Sequence, residues 1–220
     1  MEEGEEGKKN NDNVKVAFLG DSGVGKTCII KRYTEDEFNE NSPTTAGASY
    51  SQKLLEIDDK TTIQLDLWDT AGQEKYRALG KRFYKDAYII CLVYDITNTA
   101  SFDDLKNKWY KDVNIHGEKY NVLAVVGNKS DCYEREEVKE EDAKEFAKSI
   151  NATFMLTSAK NGDNIDLLFE TLVREYLGPE FTKKIEEMKK DKGEVIKVTK
   201  SKANNLLFYD EFLKKNYIFI

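Results

Sequence analysis

An α/β fold, a six-stranded mixed sheet with helices on both faces, is what this sequence predicts, and three observations predict it. Apolar runs of strand length recur, stretches of helical spacing alternate with them, and one pair of runs is joined too tightly for anything but a hairpin. The runs are VKVAFL (14–19), SYSQKLLEI (49–57), TTIQLDLW (61–68), YIICLVYD (88–95), NVLAVVGN (121–128) and TFMLTS (153–158). Most are nearly continuous in Val, Ile, Leu and aromatics, as parallel strands covered on both faces require. The exception is the pair flanking Asp58-Asp59-Lys60, a link too short for a crossover, so these two strands are expected to run antiparallel. Helices are expected over 26–33, 101–113, 138–150 and 164–177. In the second, Phe102, Leu105, Trp109 and Val113 share one stripe, and Gly178-Pro179 stops the last.

The chain has 220 residues, enough for one domain with tails, and its 40% apolar content is ordinary while its 34% charged content is high. A formal charge of −7 argues against nucleic acid as a partner, because such binding needs a basic face to neutralise phosphates. Cys28, Cys91 and Cys132 are scattered without metal spacing, which suggests thiols of a reducing compartment. The opening MEEGEEGKKNNDN is acidic where a secretory leader is apolar, and no run approaches the roughly 20 apolar residues of a membrane span. The expectation is a cytoplasmic chain with residues 1–13 disordered and no integral membrane segment.

VKVAFL runs directly into Gly20-Asp21-Ser22-Gly23-Val24-Gly25-Lys26-Thr27, a match to G-x-x-x-x-G-K-[ST] placed between a strand and a helix. The glycines let the backbone wrap a phosphate chain with its N–H groups pointing inward, and the helix beginning at Lys26 adds its positive end. Lys26 then reaches the β- and γ-phosphates and the Thr27 hydroxyl ligates Mg²⁺. The fold expected is therefore that of a three-layer P-loop NTPase.

Three more segments say which nucleotide. LWDTAGQE (67–74) ends a strand with Asp69, where a P-loop protein needs a carboxylate to hold Mg²⁺, usually through water. GNKSD (127–131) ends another, and its Asp131 can accept hydrogen bonds from the N1–H and N2–H₂ of guanine, a donor pair adenine lacks. Asn128 and the stem of Lys129 would shape the pocket. TSAK (157–160) closes the last strand, with the Ala159 N–H toward guanine O6 and Ser158 and Lys160 beside it. Taken alone, each of these has an ordinary explanation as a turn or strand exit. Together they fall in order at the C-terminal ends of successive strands, where open α/β sheets bind ligands, and they argue against an ATP-using nucleotide kinase.

From residue 14 to about 178 the sequence resembles the Ras-like small GTPases, and within them the Rab family, with WDTAGQEKYRAL, FYKDA and LVYDIT looking like Rab segments. The resemblance implies a small G protein fold that hydrolyses bound GTP to GDP with Mg²⁺, slowly, and switches between two surfaces. It implies roles for Thr45 as the magnesium ligand of the first switch, with Thr44 the local rival, for Gly72 as a γ-phosphate donor, and for Gln73 in orienting the attacking water. Phe38 would pack on the guanine edge, and Cys28 lies among the residues around the phosphates. Tyr50, Trp68 and Phe83 match the aromatic trio that Rab proteins show to effectors, although Trp68 and Phe83 could equally fill the sheet–helix interface. Effectors, a GTPase-activating protein supplying an arginine, and an exchange factor are the implied partners of a monomer acting in vesicle traffic at endomembranes.

The sequence departs from that pattern at its end. Rab proteins carry C-terminal cysteines for prenylation, and here the last cysteine is Cys132. Residues 179–220 form a tail that is charged and then apolar, closing in LLFYDEFLKKNYIFI. Three readings of it stand side by side: an amphipathic contact with a membrane surface through Leu206, Tyr209, Leu213, Tyr217 and Ile220, a segment docking on the domain or a partner, or an extension without a role. A non-prenylated GTP-binding scaffold with negligible hydrolysis is the alternative to a switch. Ala46 stands where Rab proteins carry a β-branched residue, and His116, the one histidine, reads as surface decoration.

Overall fold

A computed structural model describes residues 13–45, 47–58, 61–72, 84–116 and 120–179. The chain divides into two units, Met1–Pro179 and Glu180–Ile220, and the second lies outside the described residues, as do residues 1–12. The three readings of the tail therefore concern residues beyond those described. Among the described residues no helix is long and apolar enough to cross a membrane.

Six strands form one sheet: β1 (Asn13–Leu19), β2 (Ala48–Asp58), β3 (Thr61–Thr70), β4 (Ile89–Asp95), β5 (Val122–Asn128) and β6 (Thr153–Thr157), in the order β2-β3-β1-β4-β5-β6. The expected hairpin is there. β2 and β3 pair antiparallel, with Tyr50 opposite Trp68 and a bulge between Glu56 and Asp58, and every other neighbouring pair is parallel. β4 and β5 are buried at every position, which is why their sequences carry no polar alternation. β1 starts at Asn13, inside the stretch expected to be disordered, because Asn13 sits in register with Gln64 of β3.

Among the described residues the α-helices are α1 (Lys26–Glu35), α2 (Thr99–Asp104), α3 (Tyr110–His116), α4 (Glu140–Ser149) and α5 (Ile165–Leu177). One difference from the sequence reading matters. The uniform helix expected over 101–113 is α2 and α3 separated by a π-helical turn, Leu105–Trp109, in which the Tyr110 N–H bonds to the Leu105 carbonyl. The apolar stripe survives the change, since Phe102, Leu105, Trp109 and Val113 are all buried. On the other side of the sheet α5 buries Leu168, Phe169 and Leu172, and the Phe169 ring stacks on Tyr33 of α1 with centroids 3.6 Å apart. His116 is an exposed residue bonded to Asp112 one turn earlier.

α5 also carries a charge where the fold has little room for one. Glu175 accepts a hydrogen bond from Thr153 of β6, and burial pushes its pKa above the ordinary value despite that bond. A carboxyl raised in the folded state is most favourable below its unfolded pKa, and the fold loses that contribution as pH rises through the folded value. Glu175→Gln, which keeps an acceptor for Thr153, is expected to raise Tm at pH 7 by about 2–4 °C, the shift that roughly 1 kcal/mol produces at this size. The gain should vanish near pH 4, where the native carboxyl is protonated. Thermal denaturation at the two pH values, with equal gains at both, would contradict this.

Candidate nucleotide-binding site

The residues singled out by sequence converge at the C-terminal edge of the sheet. Gly20 leaves β1, Asp69 is the last residue but one of β3, Asn128 ends β5 and Ser158 follows β6. Between β1 and α1 the chain folds into a tight loop whose last residue, Gly25, is the N-cap of α1 at φ 97°. No side chain caps that end of α1 and no acidic residue lies in its first turn. The helix thus starts with backbone donors and a positive dipole end facing the loop. Gly25 is also squeezed: a Cβ there would lie 2.2 Å from the side-chain nitrogen of Asn128. Lys26 is buried and donates to two neutral carbonyls, Gly20 O at 2.7 Å and Asp21 O at 2.8 Å. Burial pushes its pKa down to about 8, with Asp69 and Asp21 pulling the other way. A buried ammonium whose hydrogen-bond partners are neutral is electrostatically ready for an anion.

Beside it three oxygens gather. Thr27 Oγ1 donates to Asp69 Oδ2 at 2.6 Å and lies 2.8 Å from Thr45 Oγ1, which itself reaches Asp69 Oδ2 at 3.2 Å. Thr44, the rival, is exposed. Asp69 is buried, and its other oxygen, Oδ1, has no hydrogen-bond partner. An orphaned buried carboxylate oxygen among hydroxyls is costly by itself and suits a hard divalent cation that takes oxygen ligands. The residues present therefore fit magnesium.

The far side of this edge is built around Asn128. Its Nδ2 donates to Val24 O at 2.9 Å, and its Oδ1 accepts from the Ala159 N–H and Thr157 Oγ1, each at 3.3 Å. One side chain thus fastens the glycine-rich loop to the loop after β6. The Ala159 N–H, expected to meet guanine O6, points to Asn128 here. Asp131 accepts from Ser158 Oγ at 2.6 Å. Burial pushes its pKa up, but the Ser158 and Cys132 donors, its own backbone N–H and Lys160 together hold it below the usual carboxylate range. An ionised acceptor is what the two guanine donors need. Lys129 adopts left-handed backbone at φ 68° and its ammonium pairs with Asp95 at 2.6 Å.

The profile of the Ras family matches residues 15–178. Curated relatives include the Ras-related protein Rab-22A of Homo sapiens, 45% identical over 161 residues, which cover 73% of this chain and 82% of that protein. The Ras-related protein Rab-8B of Pongo abelii is 35% identical over 195 residues, covering 89% and 93%. The Ras-related protein SEC4 of Saccharomyces cerevisiae is 40% identical over 168, covering 76% and 77%.

The chain belongs to the Ras family. Its relatives make it a Rab-like member, and the sheet, with one antiparallel pair, is that of the small G protein fold.

In this Rab-like protein the loop residues Gly20 to Cys28 lie together, Ser22 and Gly23 exposed and Val24 buried. Cys28 is half-buried, and burial raises its thiol pKa while a Ser42 hydrogen bond lowers it. Phe38 is half-buried in the loop after α1. Gly72 lies against the phosphate loop, where a Cβ would fall 2.2 Å from Asp21 C and from Ser22 N. Of the aromatic trio, Tyr50 is 46% exposed and its ring lies 5.2 Å from that of half-buried Trp68, so neither is absorbed into the interior. Gln73, Phe83 and Ala46 lie outside the described residues. Sequence reasoning missed Arg32, which donates to Ala159 O at 2.8 Å and Lys160 O at 3.0 Å and so carries the loop after β6 on α1. It also missed Thr157. An arginine on a helix face gives no local sign of a partner more than a hundred positions away.

Proposed function

We propose that this Rab-like protein binds GTP and GDP with Mg²⁺, hydrolyses GTP slowly, and acts as a molecular switch in vesicle traffic at the cytoplasmic face of endomembranes. The observation that carries the reading is the meeting of Thr27, Thr45 and Asp69 beside the Lys26 ammonium, with Asp69 Oδ1 left unpartnered. The residues in question belong to a domain spanning 14–178, with 1–13 and 179–220 as terminal segments.

In this reading Gly20, Asp21, Ser22, Gly23, Val24, Gly25 and Cys28 surround the phosphates with backbone donors, and Lys26 lies against their oxygens. Thr27, Thr45 and Asp69 would hold Mg²⁺, whose charge offsets that of the phosphate oxygens. Asp131 takes the two guanine donors, while Asn128, Lys129, Ser158, Ala159 and Lys160 shape the pocket and Phe38 covers the base edge. Thr45 and Gly72 bind the γ-phosphate through backbone N–H groups, and Gln73 orients water for in-line attack. Loss of the γ-phosphate releases both loops, so effectors read only the triphosphate form.

Ras-type GTPases turn over at about 10⁻⁴ s⁻¹ unaided and about 10⁵-fold faster with a partner's arginine. The expected result is retention of GDP and GTP, and not ATP, at micromolar protein with magnesium, and single-turnover hydrolysis in that slow range. Gln73→Leu should slow it by at least about ten-fold, roughly 1.4 kcal/mol of barrier. Fast hydrolysis without a partner, or an unchanged rate in Gln73→Leu, defeats the catalytic part of the reading. Failure to retain guanine nucleotide defeats all of it.

A further inference from the structure

The helical segment after β4 meets the glycine-rich loop at Asp21, where Trp109 donates to its carboxylate and Asp104 lies beside it. The indole Nε1–H of buried Trp109 donates to Asp21 Oδ1 at 2.7 Å, across 88 positions of sequence. Trp109 closes the π turn Leu105–Trp109, a geometry that is rare and occurs mostly as single turns at functional sites.

Asp21 is held from three sides. Its carboxylate takes the indole, and its carbonyl takes Lys26 Nζ at 2.8 Å. Its peptide link to Ser22 is where Gly72 packs, so closely that a Cβ would lie 2.2 Å from both Asp21 C and Ser22 N. Turning that one peptide would move the lysine that faces the phosphates and press on the glycine that begins the second switch. The carboxylate itself is poorly accommodated. It is half-buried, burial raises its pKa, the Trp109 donor lowers it, nearby Asp104 raises it, and Lys108, paired to Asp104, lowers it.

We propose that Trp109 is a positioning residue for the phosphate loop: its bond to Asp21 holds the Asp21–Ser22 peptide in the orientation Lys26 and Gly72 require, and so slows nucleotide release. The proposal rests on the reading of this edge as a guanine nucleotide site. A residue that merely filled the core would behave differently, because its loss would lower stability without involving Asp21.

The experiment follows release of a fluorescent GDP analogue from the full chain with magnesium, chased by excess GDP. Trp109→Phe and Asp21→Ala are each expected to speed release about ten-fold, the scale of one hydrogen bond to a charged group. The double variant should also be about ten-fold faster rather than about a hundred-fold, since both changes remove the same bond. Val113→Ala, one turn along and equally buried, should lower Tm and leave release within about two-fold of the parent. A second reading uses Trp68→Phe, which leaves Trp109 the remaining one of two tryptophans. Its emission is expected to change when GDP is exchanged for a GTP analogue, and Asp21→Ala should remove that change. Release unchanged in Trp109→Phe, effects that multiply in the double variant, or emission insensitive to nucleotide overturns the proposal. A parent chain that retains no guanine nucleotide fails earlier, at the site reading itself.

Discussion

Asn128→Ala is expected to lower Tm by about 6–10 °C and to weaken GDP binding by at least about a hundred-fold. The residue is 1% exposed, and three bonds run through its amide: one to Val24 O and two from Thr157 and the Ala159 N–H. Truncation leaves the Val24 carbonyl and the Ala159 N–H without that partner in a place water cannot easily reach, at about 1–3 kcal/mol each. The same bonds set the distance between the Gly20–Thr27 loop and the loop after β6, which on the proposed reading hold the phosphates and the base, so affinity is expected to fall along with stability. Gly25 rests directly on the amide nitrogen, and the start of α1 loses its floor. Asn128→Asp preserves shape but puts an oxygen against Val24 O, and should be as damaging. Calorimetric titration of GDP with a thermal melt tests both. Binding within about three-fold of the parent would show that the two loops hold their places without this side chain.

Gly72→Ala is expected to cut GTP hydrolysis by about a hundred-fold, equivalent to roughly 2.7 kcal/mol of barrier, and to weaken the triphosphate complex more than the diphosphate complex. The added methyl would fall 2.2 Å from Asp21 C, 2.2 Å from Ser22 N and 2.5 Å from Asp21 O, all of them backbone atoms. The chain cannot simply back away. Thr70 Oγ1 is bonded to Phe18 O at 2.7 Å and the Ala71 N–H to Gly47 O at 2.7 Å, which fixes the two residues before it. What gives way is the contact between Gly72 and the Asp21–Ser22 peptide, where on the proposed reading the γ-phosphate would be sensed. Single-turnover hydrolysis and paired titrations with GDP and a GTP analogue measure the effect. Parent-like hydrolysis would mean that this contact plays no part in the triphosphate state.

Much of the candidate site was legible in the sequence alone, and the reason is locality. A loop around phosphates needs glycines, a lysine and a hydroxyl within eight positions, so Gly20 to Thr27 announce themselves. Asp69, Asn128 and Asp131 were legible because each ends or follows an apolar run whose length marks a strand, and a parallel sheet delivers all such ends to one edge. The choice of Thr45 over its neighbour Thr44 rests on the family resemblance, and the fold puts the Thr45 hydroxyl against Asp69 while Thr44 is exposed. The π turn was hidden because Leu105, Trp109 and Val113 satisfy an α-helical stripe just as well as the wider turn that forms.

Composition, apolar periodicity and the order of short motifs determined by themselves the α/β class, the strand hairpin and the chemistry gathered at the strand ends. These are properties of neighbouring residues, written by hydrophobic pattern and backbone conformation. Only the tertiary structure decided that Arg32 carries the loop after β6, that Asn128 joins two loops, and that Trp109 reaches Asp21. Such contacts join groups far apart in sequence, and a lone donor or acceptor has no local pattern to betray the partner that burial will give it.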